Sequence, residues 1–203
     1  KCFWSPPLST SIWNSRLFSN TSVIYSNYDY NINIMDDETN FNINSNIKDW
    51  NLKQDCSYFH NTFHTFKFGW NYIYHRFIPT SFSASSGDVD FGTEDPPKIL
   101  AHEAAGYILD EFSINENLKI NAGLRFSMFQ QVGPFTRYYK NSSTGTVDST
   151  RTWNKGDRIQ YYDGFEPRLA IRYSLPDKSS IKAGFSHNYQ YVHMASISSV
   201  SLT

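Results

Sequence analysis

Residues 164–191, GFEPRLAIRYSLPDKSSIKAGFSHNYQY, restrict the possible folds more than any other stretch of the chain. Phe165, Pro167, Leu169, Ile171 and Tyr173 alternate with Glu166, Arg168, Ala170 and Arg172. Beyond residues 175–179, Ile181, Ala183, Phe185, Tyr189 and Tyr191 alternate with Lys182, Gly184, Ser186, Asn188 and Gln190. A two-residue period belongs to strands, whose successive side chains point to opposite faces. A turn centred on Asp177 then sets Tyr173 opposite Ile181, Ile171 opposite Ala183 and Leu169 opposite Phe185 on one face. On the other face Arg172 meets Lys182, Ala170 meets Gly184, Arg168 meets Ser186 and Glu166 meets Asn188. The first face is apolar and begins and ends in aromatics; the second carries unlike charges, amides and small residues. Lipid against the first face, and water or a plug against the second, produces this pattern.

The same alternation recurs upstream. Residues 8–13 read as the tail of a preceding strand, turning at Asn14-Ser15-Arg16. Residues 17–35 form one long strand and residues 40–59 return after a turn at 36–39. Within 40–59 the apolar parity changes from Phe41, Ile43 and Ile47 to Trp50, Leu52, Cys56 and Tyr58, which predicts a bulge near Lys48-Asp49. After a turn at 60–63 comes the cleanest stripe: Phe66, Phe68, Trp70, Tyr72 and Tyr74 interleave with Lys67, Gly69, Asn71, Ile73 and His75. Residues 79–98 read as a polar loop. Residues 99–114 form a strand with no clear apolar face, since Tyr107 and Leu109 share a parity with Glu111 while Ile108 and Phe112 share one with Asp110. Leu118, Ile120, Ala122, Leu124, Phe126 and Met128 then alternate with Lys119, Asn121, Gly123, Arg125 and Ser127. Residues 130–163 and 192–203 read as loops. Short turns at 14–16, 60–63, 115–117 and 175–179 thus alternate with long loops at 79–98, 130–163 and 192–203, the turn at 36–39 excepted. The fold class is all-β: an antiparallel up-and-down meander of about seven strands, part of a large transmembrane outer-membrane barrel.

Bulk properties agree. Mean hydropathy is −0.52, yet 17% of residues are aromatic. No apolar run approaches the ~20 residues of a membrane helix, which leaves a strand-built span open because alternating strands average to a polar score. The net charge of −1, without a basic stripe, gives no reason to expect nucleic acid as a partner. Cys2 and Cys56 are too few for a disulfide framework; Cys56, on an alternating strand, reads as a small buried or lipid-facing hydrophobe. No signal peptide stands at Lys1-Cys2-Phe3-Trp4, as expected if it has been removed or if the chain is an internal piece, and no closing strand ends the sequence; the expectation is a fragment.

The faces assign the candidate residues. Phe66, Phe68, Trp70, Tyr72, Tyr74, Ile120, Leu124, Phe126, Leu169, Ile171 and Phe185 are expected to face outer-membrane lipid. Lys67, Asn71, Lys119, Asn121, Arg125, Glu166, Arg168, Arg172, Lys182 and Asn188 are expected to line the lumen, meeting water, one another and a plug. Catalytic and cofactor-binding residues are not assigned, and the chain reads as no enzyme: no Gly-x-Ser-x-Gly elbow occurs. No metal site is assigned either. His60 and His64 sit at a strand turn, where four-residue spacing does not converge as on a helix. His102-Glu103 lacks a second histidine, and Asp88, Asp90, Glu94 and Asp95 match no calcium-loop pattern and read as an acidic solvated loop. The aromatics Tyr138, Tyr139, Trp153, Tyr161 and Tyr162 offer stacking surfaces for a ligand or mark strands that project beyond the membrane.

Taken in order, LFSNTSVIYSNYDYNI, HTFKFGWNYIYHRFIP, ILDEFSINENLKINAGLRFSMFQQVGP and EPRLAIRYSLPDKSSIKAGFSHNYQYVH resemble the barrel of TonB-dependent outer-membrane receptors. They resemble most the Bacteroidota branch with an N-terminal carboxypeptidase-regulatory-like domain. The resemblance runs from about Leu17 to the end and implies a barrel of about 22 strands, of which residues 1–203 are a part. It implies partners that the chain lacks: its own plug domain and the TonB complex, with a surface lipoprotein as a further one. The implied function is import of a bulky nutrient (siderophore, glycan or peptide) across the cell outer membrane with energy from the inner membrane. Two rivals are a related barrel for adhesion or secretion and a soluble carbohydrate-binding β-sandwich. The stripe Phe66–Tyr74 separates the last, because in a sandwich its rings must face a packed second layer.

Overall fold

The computed structural model describes residues 9–36, 39–86, 89–92, 98–141 and 144–191. The expectations placed on Cys2, Asp88, Glu94, Asp95 and residues 192–203 lie outside them. The strands are β1 (Ser9–Asn14), β2 (Leu17–Asp36), β3 (Thr39–Phe59), β4 (His64–Ser86), β5 (Val89–Gly92), β6 (Ile99–Ser113), β7 (Leu118–Val132), β8 (Phe135–Lys140), β9 (Val147–Trp153), β10 (Arg158–Ser174) and β11 (Ser180–Ser186). One antiparallel sheet runs β1-β2-β3-β4-β6-β7-β10-β11, with β5 against the far end of β4; β8 and β9 pair separately. The path has eight strands rather than seven, because residues 9–14 pair fully with β2 instead of ending as a stub.

The turns at one end share a device. Asn14 Oδ1 accepts from the N–H groups of Arg16 and Leu17, Asn61 Oδ1 from Phe63 and His64, and Asn115 Oδ1 from Asn117 and Leu118, all at 2.8–2.9 Å. A side-chain amide that reaches its own backbone two and three residues on substitutes for a backbone turn, which is why asparagine recurs here. The fourth turn uses Asp177, whose Oδ1 accepts from the Ser179 N–H at 2.9 Å and hydroxyl at 2.6 Å.

The ladder is staggered. Along one cross-strand row Leu17 leads through Tyr58, Phe66, Asp110 and Ala122 to Leu169. Leu17 opens β2, whereas Leu169 lies five residues before the end of β10. That offset is about 16 Å along the strand over about 24 Å across five inter-strand spacings. The strands therefore lean about 35° from the normal to the line through the turns, within the tilt of membrane barrels.

Several expected loops are strands. β4 continues to Ser86, and β8 and β9 occupy part of residues 130–163, while β10 begins at Arg158. The anticipated bulge near Lys48-Asp49 is absent: β3 pairs without interruption against β2, and its register with β4 shifts only between Asn44 and Asn46. The apolar parity changes because the two faces exchange polarity at this height, where Ile47 opposes Phe77 on one face and Lys48 opposes Arg76 on the other. In the last hairpin Tyr173, Ile171 and Leu169 oppose Ile181, Ala183 and Phe185 as expected. β11 ends at Ser186, so Glu166 does not pair with Asn188; Asn188 instead accepts a hydrogen bond from Arg168 at 2.8 Å. Beyond Ser186 the chain turns onto the charged face, where Tyr189 lies against Gly164; a Cβ there would come within 2.2 Å of its ring.

Candidate functional site: the two faces of the sheet

Cross-strand partners share a face, so the register sorts every side chain. Phe66, Phe68, Trp70, Tyr72, Tyr74, Ile120, Leu124, Phe126, Leu169, Ile171 and Phe185 all fall on one face, the aromatic face. It is open: Trp70 is 42% exposed and Phe185 63%. From the turn end upward, β4 presents Phe66 to Tyr74 and then Arg76; β3 presents Tyr58 to Trp50 and then Lys48; β7 presents Leu118 to Met128 and then Gln130; β10 presents Tyr173 to Phe165 and then Asp163. On these four strands the apolar stretch spans nine to eleven residues from the turn end. β6 joins this face with Ile108 and its even-numbered neighbours, which settles its undecided phase; its Asp110 takes His64 as a partner at 2.8 Å.

Lys67, Asn71, Lys119, Arg125, Glu166, Arg168, Arg172 and Lys182 all fall on the opposite, charged face. Its centre is Glu166, fully buried, which receives Arg125 Nη1 at 2.7 and 2.9 Å and the Ser127 hydroxyl at 2.6 Å. Arg168 stands 3.6 Å away, and the Tyr191 hydroxyl closes the group by a 2.8 Å contact with Ser127 Oγ. Lys67 bonds Glu111 at 2.6 Å, and the Tyr107 hydroxyl donates to Asp55 at 2.5 Å. His75 Nδ1 meets Asp49 at 2.8 Å, while its Nε2 lies 3.5 Å from Glu103, an ionic contact without hydrogen-bond geometry. A cleft of 440 Å³ opens on this face among Asn51, Lys53, Asn71, Tyr107, Arg125 and Arg168.

Higher on the strands the polarity reverses. Phe77, Ala101 and Phe129 form a buried cluster on the charged-face side, with Ile47, Ile99 and Tyr191 against it. At the same level the aromatic-face side turns to Lys48 and Arg76. Ile47 thus lies on the charged-face parity for a physical reason and needs no bulge. Sequence reasoning missed Asp49, Asp55, His75, Glu103, Tyr107, Glu111 and Ser127; their parity was readable, but the register that joins them was not. Tyr138, Tyr139, Tyr161 and Tyr162 are strand residues, and Trp153 ends β9, buried with Arg151 stacked over it at 4.7 Å. Among the described residues no three histidine, cysteine or acidic side chains converge on a metal-sized site.

The model of the TonB dependent receptor-like β-barrel family matches residues 7–198. The chain belongs to the TonB-dependent receptor barrel family. The crystal structure of the ferric citrate transporter FecA in its unliganded form shares the barrel fold, with a TM-score of 0.56 and 17% identity over 86% of this chain. The receptor segment spans 25% of that transporter's length. No curated protein sequence matches it. The family accounts for the single-layer sheet, whose aromatic face is met among the described residues only at its upper end, by the start of the β8–β9 hairpin.

Proposed function

We propose that this chain is part of the wall of a TonB-dependent outer-membrane transporter that imports a bulky nutrient such as a siderophore, glycan or peptide, driven by energy from the inner membrane. The aromatic face meets lipid; the charged face lines the lumen and meets the receptor's own plug. The observation that carries this reading is the height of the apolar stretch. Nine to eleven residues on β3, β4, β7 and β10, leaning about 35°, make a band about 25–30 Å tall, close to the height of the apolar girdle of an outer-membrane barrel. A sandwich would cover Phe66–Tyr74 with a second sheet, whereas among the described residues the other sheet is only the two-stranded β8–β9. On the charged face the Ser127 hydroxyl and Glu166 are both fully buried and committed to each other, out of reach of a substrate in the lumen, which favours transport over catalysis. A surface lipoprotein and the Bacteroidota-type N-terminal domain complete the same proposal for the parent protein.

The test uses the intact receptor reconstituted in lipids with brominated acyl chains. A probe attached at position 70 or 124 is quenched strongly and one at position 71 or 125 weakly. Equal quenching of both pairs overturns the assignment of faces. Loss of uptake when the inner-membrane energy source is removed separates an importer from an adhesion or secretion barrel.

A further inference from the structure

The feature that the transport reading leaves unused lies on the aromatic face, immediately above the apolar band. Tyr25, Trp50 and Tyr74 are successive partners along one cross-strand row, with the rings of Tyr25 and Trp50 4.7 Å apart. Two residues further up, Lys48 and Arg76 stand directly opposite each other. Like charges at a cross-strand position repel and destabilise the pair unless an anion lies between them. Lys98 joins them in lining a cleft of 980 Å³, whose far wall is Pro134, Phe135, Thr136 and Tyr138, from the start of the β8–β9 hairpin. Among the described residues no carboxylate lines this cleft. Further along the same row Arg158 adds another cation, stacked on Tyr161 at 5.9 Å.

We propose that this cleft holds the phosphate-bearing headgroup of a lipid in the leaflet on the long-loop side. The inference rests on the reading that the aromatic face meets lipid. Three cations without a carboxylate neutralise a phosphate or diphosphate, Arg76 through its planar fork and the two lysines as movable point charges. The aromatic row beneath suits the ester or sugar region at the interface, and the apolar band below continues along the acyl chains. A free anion would find the same cations, but it would make no use of the apolar continuation, and water would screen it more fully.

The experiment measures retention of radiolabelled diphosphoryl lipid A by the intact receptor in non-ionic detergent, with its dephosphorylated form and inorganic phosphate as comparisons. Lys48→Ser or Arg76→Ser each weaken retention about fivefold and the double variant about thirtyfold. Arg76→Lys restores most of it, and Lys155→Ser, in the exposed β9–β10 turn, leaves it unchanged. Dephosphorylated lipid binds as weakly as the double variant binds the phosphorylated one, and millimolar inorganic phosphate does not displace the lipid. Unchanged retention by the double variant, equal retention of both lipids, or displacement by inorganic phosphate overturns the proposal. Bromolipid quenching at position 70 separates the two failures: if it persists, the face meets lipid and only the headgroup site is wrong.

Discussion

Glu166 is the residue on which the charged face is built. A carboxylate with no exposed surface holds its charge only because Arg125 and Ser127 supply three hydrogen bonds. Removing one partner of a buried pair leaves an uncompensated charge. Arg125→Ala is therefore expected to destabilise the intact barrel by about 3–5 kcal/mol, whereas Lys67→Ala, at a half-exposed pair with Glu111, costs about 0–1 kcal/mol. Denaturant titration of the folded receptor compares the two, and equal losses would refute the central role of Glu166. Parity alone put Arg125 and Glu166 on one face of the sequence. Ser127 and Tyr191 were not legible as their partners, because that grouping depends on a register across dozens of residues and on β11 ending at Ser186.

At the scale of the element, the turn between β10 and β11 combines strain with a charge. Lys178 has φ 70°, a left-handed conformation that costs a side chain about 1 kcal/mol and a glycine little. Lys178→Gly is expected to raise stability by up to about 1 kcal/mol, read from the denaturation midpoint. Hydrogen bonds from Ser179 hold the Asp177 carboxyl below its ordinary value. Its contribution is complete above about pH 4, the unfolded range, and disappears as pH falls through the depressed folded value. Asp177→Asn should abolish that acid-side dependence, measured as the midpoint between pH 6 and pH 2; an unchanged slope would reject it.

The strands make a sharper claim. Phe68→Arg and Leu124→Arg, near the middle of the apolar stretch, should each cost about 2–4 kcal/mol, and Phe165→Arg near its upper edge about 0–1. Lys67→Ser and Asn71→Ser, on the other face, should cost little. Refolding titrations that find the two faces equally sensitive would point to a packed core on both sides. The alternation made the faces of β4 and β7 legible, and the last hairpin legible down to register. β6 was not, because Asp110 and Glu111 give both of its parities a carboxylate. Residues 79–86 and 135–153 were taken for loop because their serines, threonines and tyrosines lack an apolar face, yet they are largely strand.

On the scale of the whole molecule, β1 pairs only with β2 and β11 only with β10, so the described sheet ends in two open edges. Open edges recruit further strands. The isolated segment is expected to associate through them in detergent, while the intact receptor runs as one discrete species; size-exclusion chromatography of both checks this, and a stable monomeric segment would show that the edges are protected. The open meander was legible from the alternation of short turns with long loops. The tilt was not, since it depends on how far each turn is offset from the last.

The exchange of polarity near Lys48 and Arg76 has a mechanical consequence. A wall apolar outside along its whole length could ride up or down in a bilayer at little cost. Here a shift of two residues toward the turns would carry Lys48 and Arg76 into hydrocarbon, and the opposite shift would lift Tyr74 and Trp50 into water. On the proposed assignment of faces the protein floats at a single draught, written separately into β3, β4, β7 and β10. When the surrounding membrane thins or thickens, it is the lipid that must bend to meet the wall.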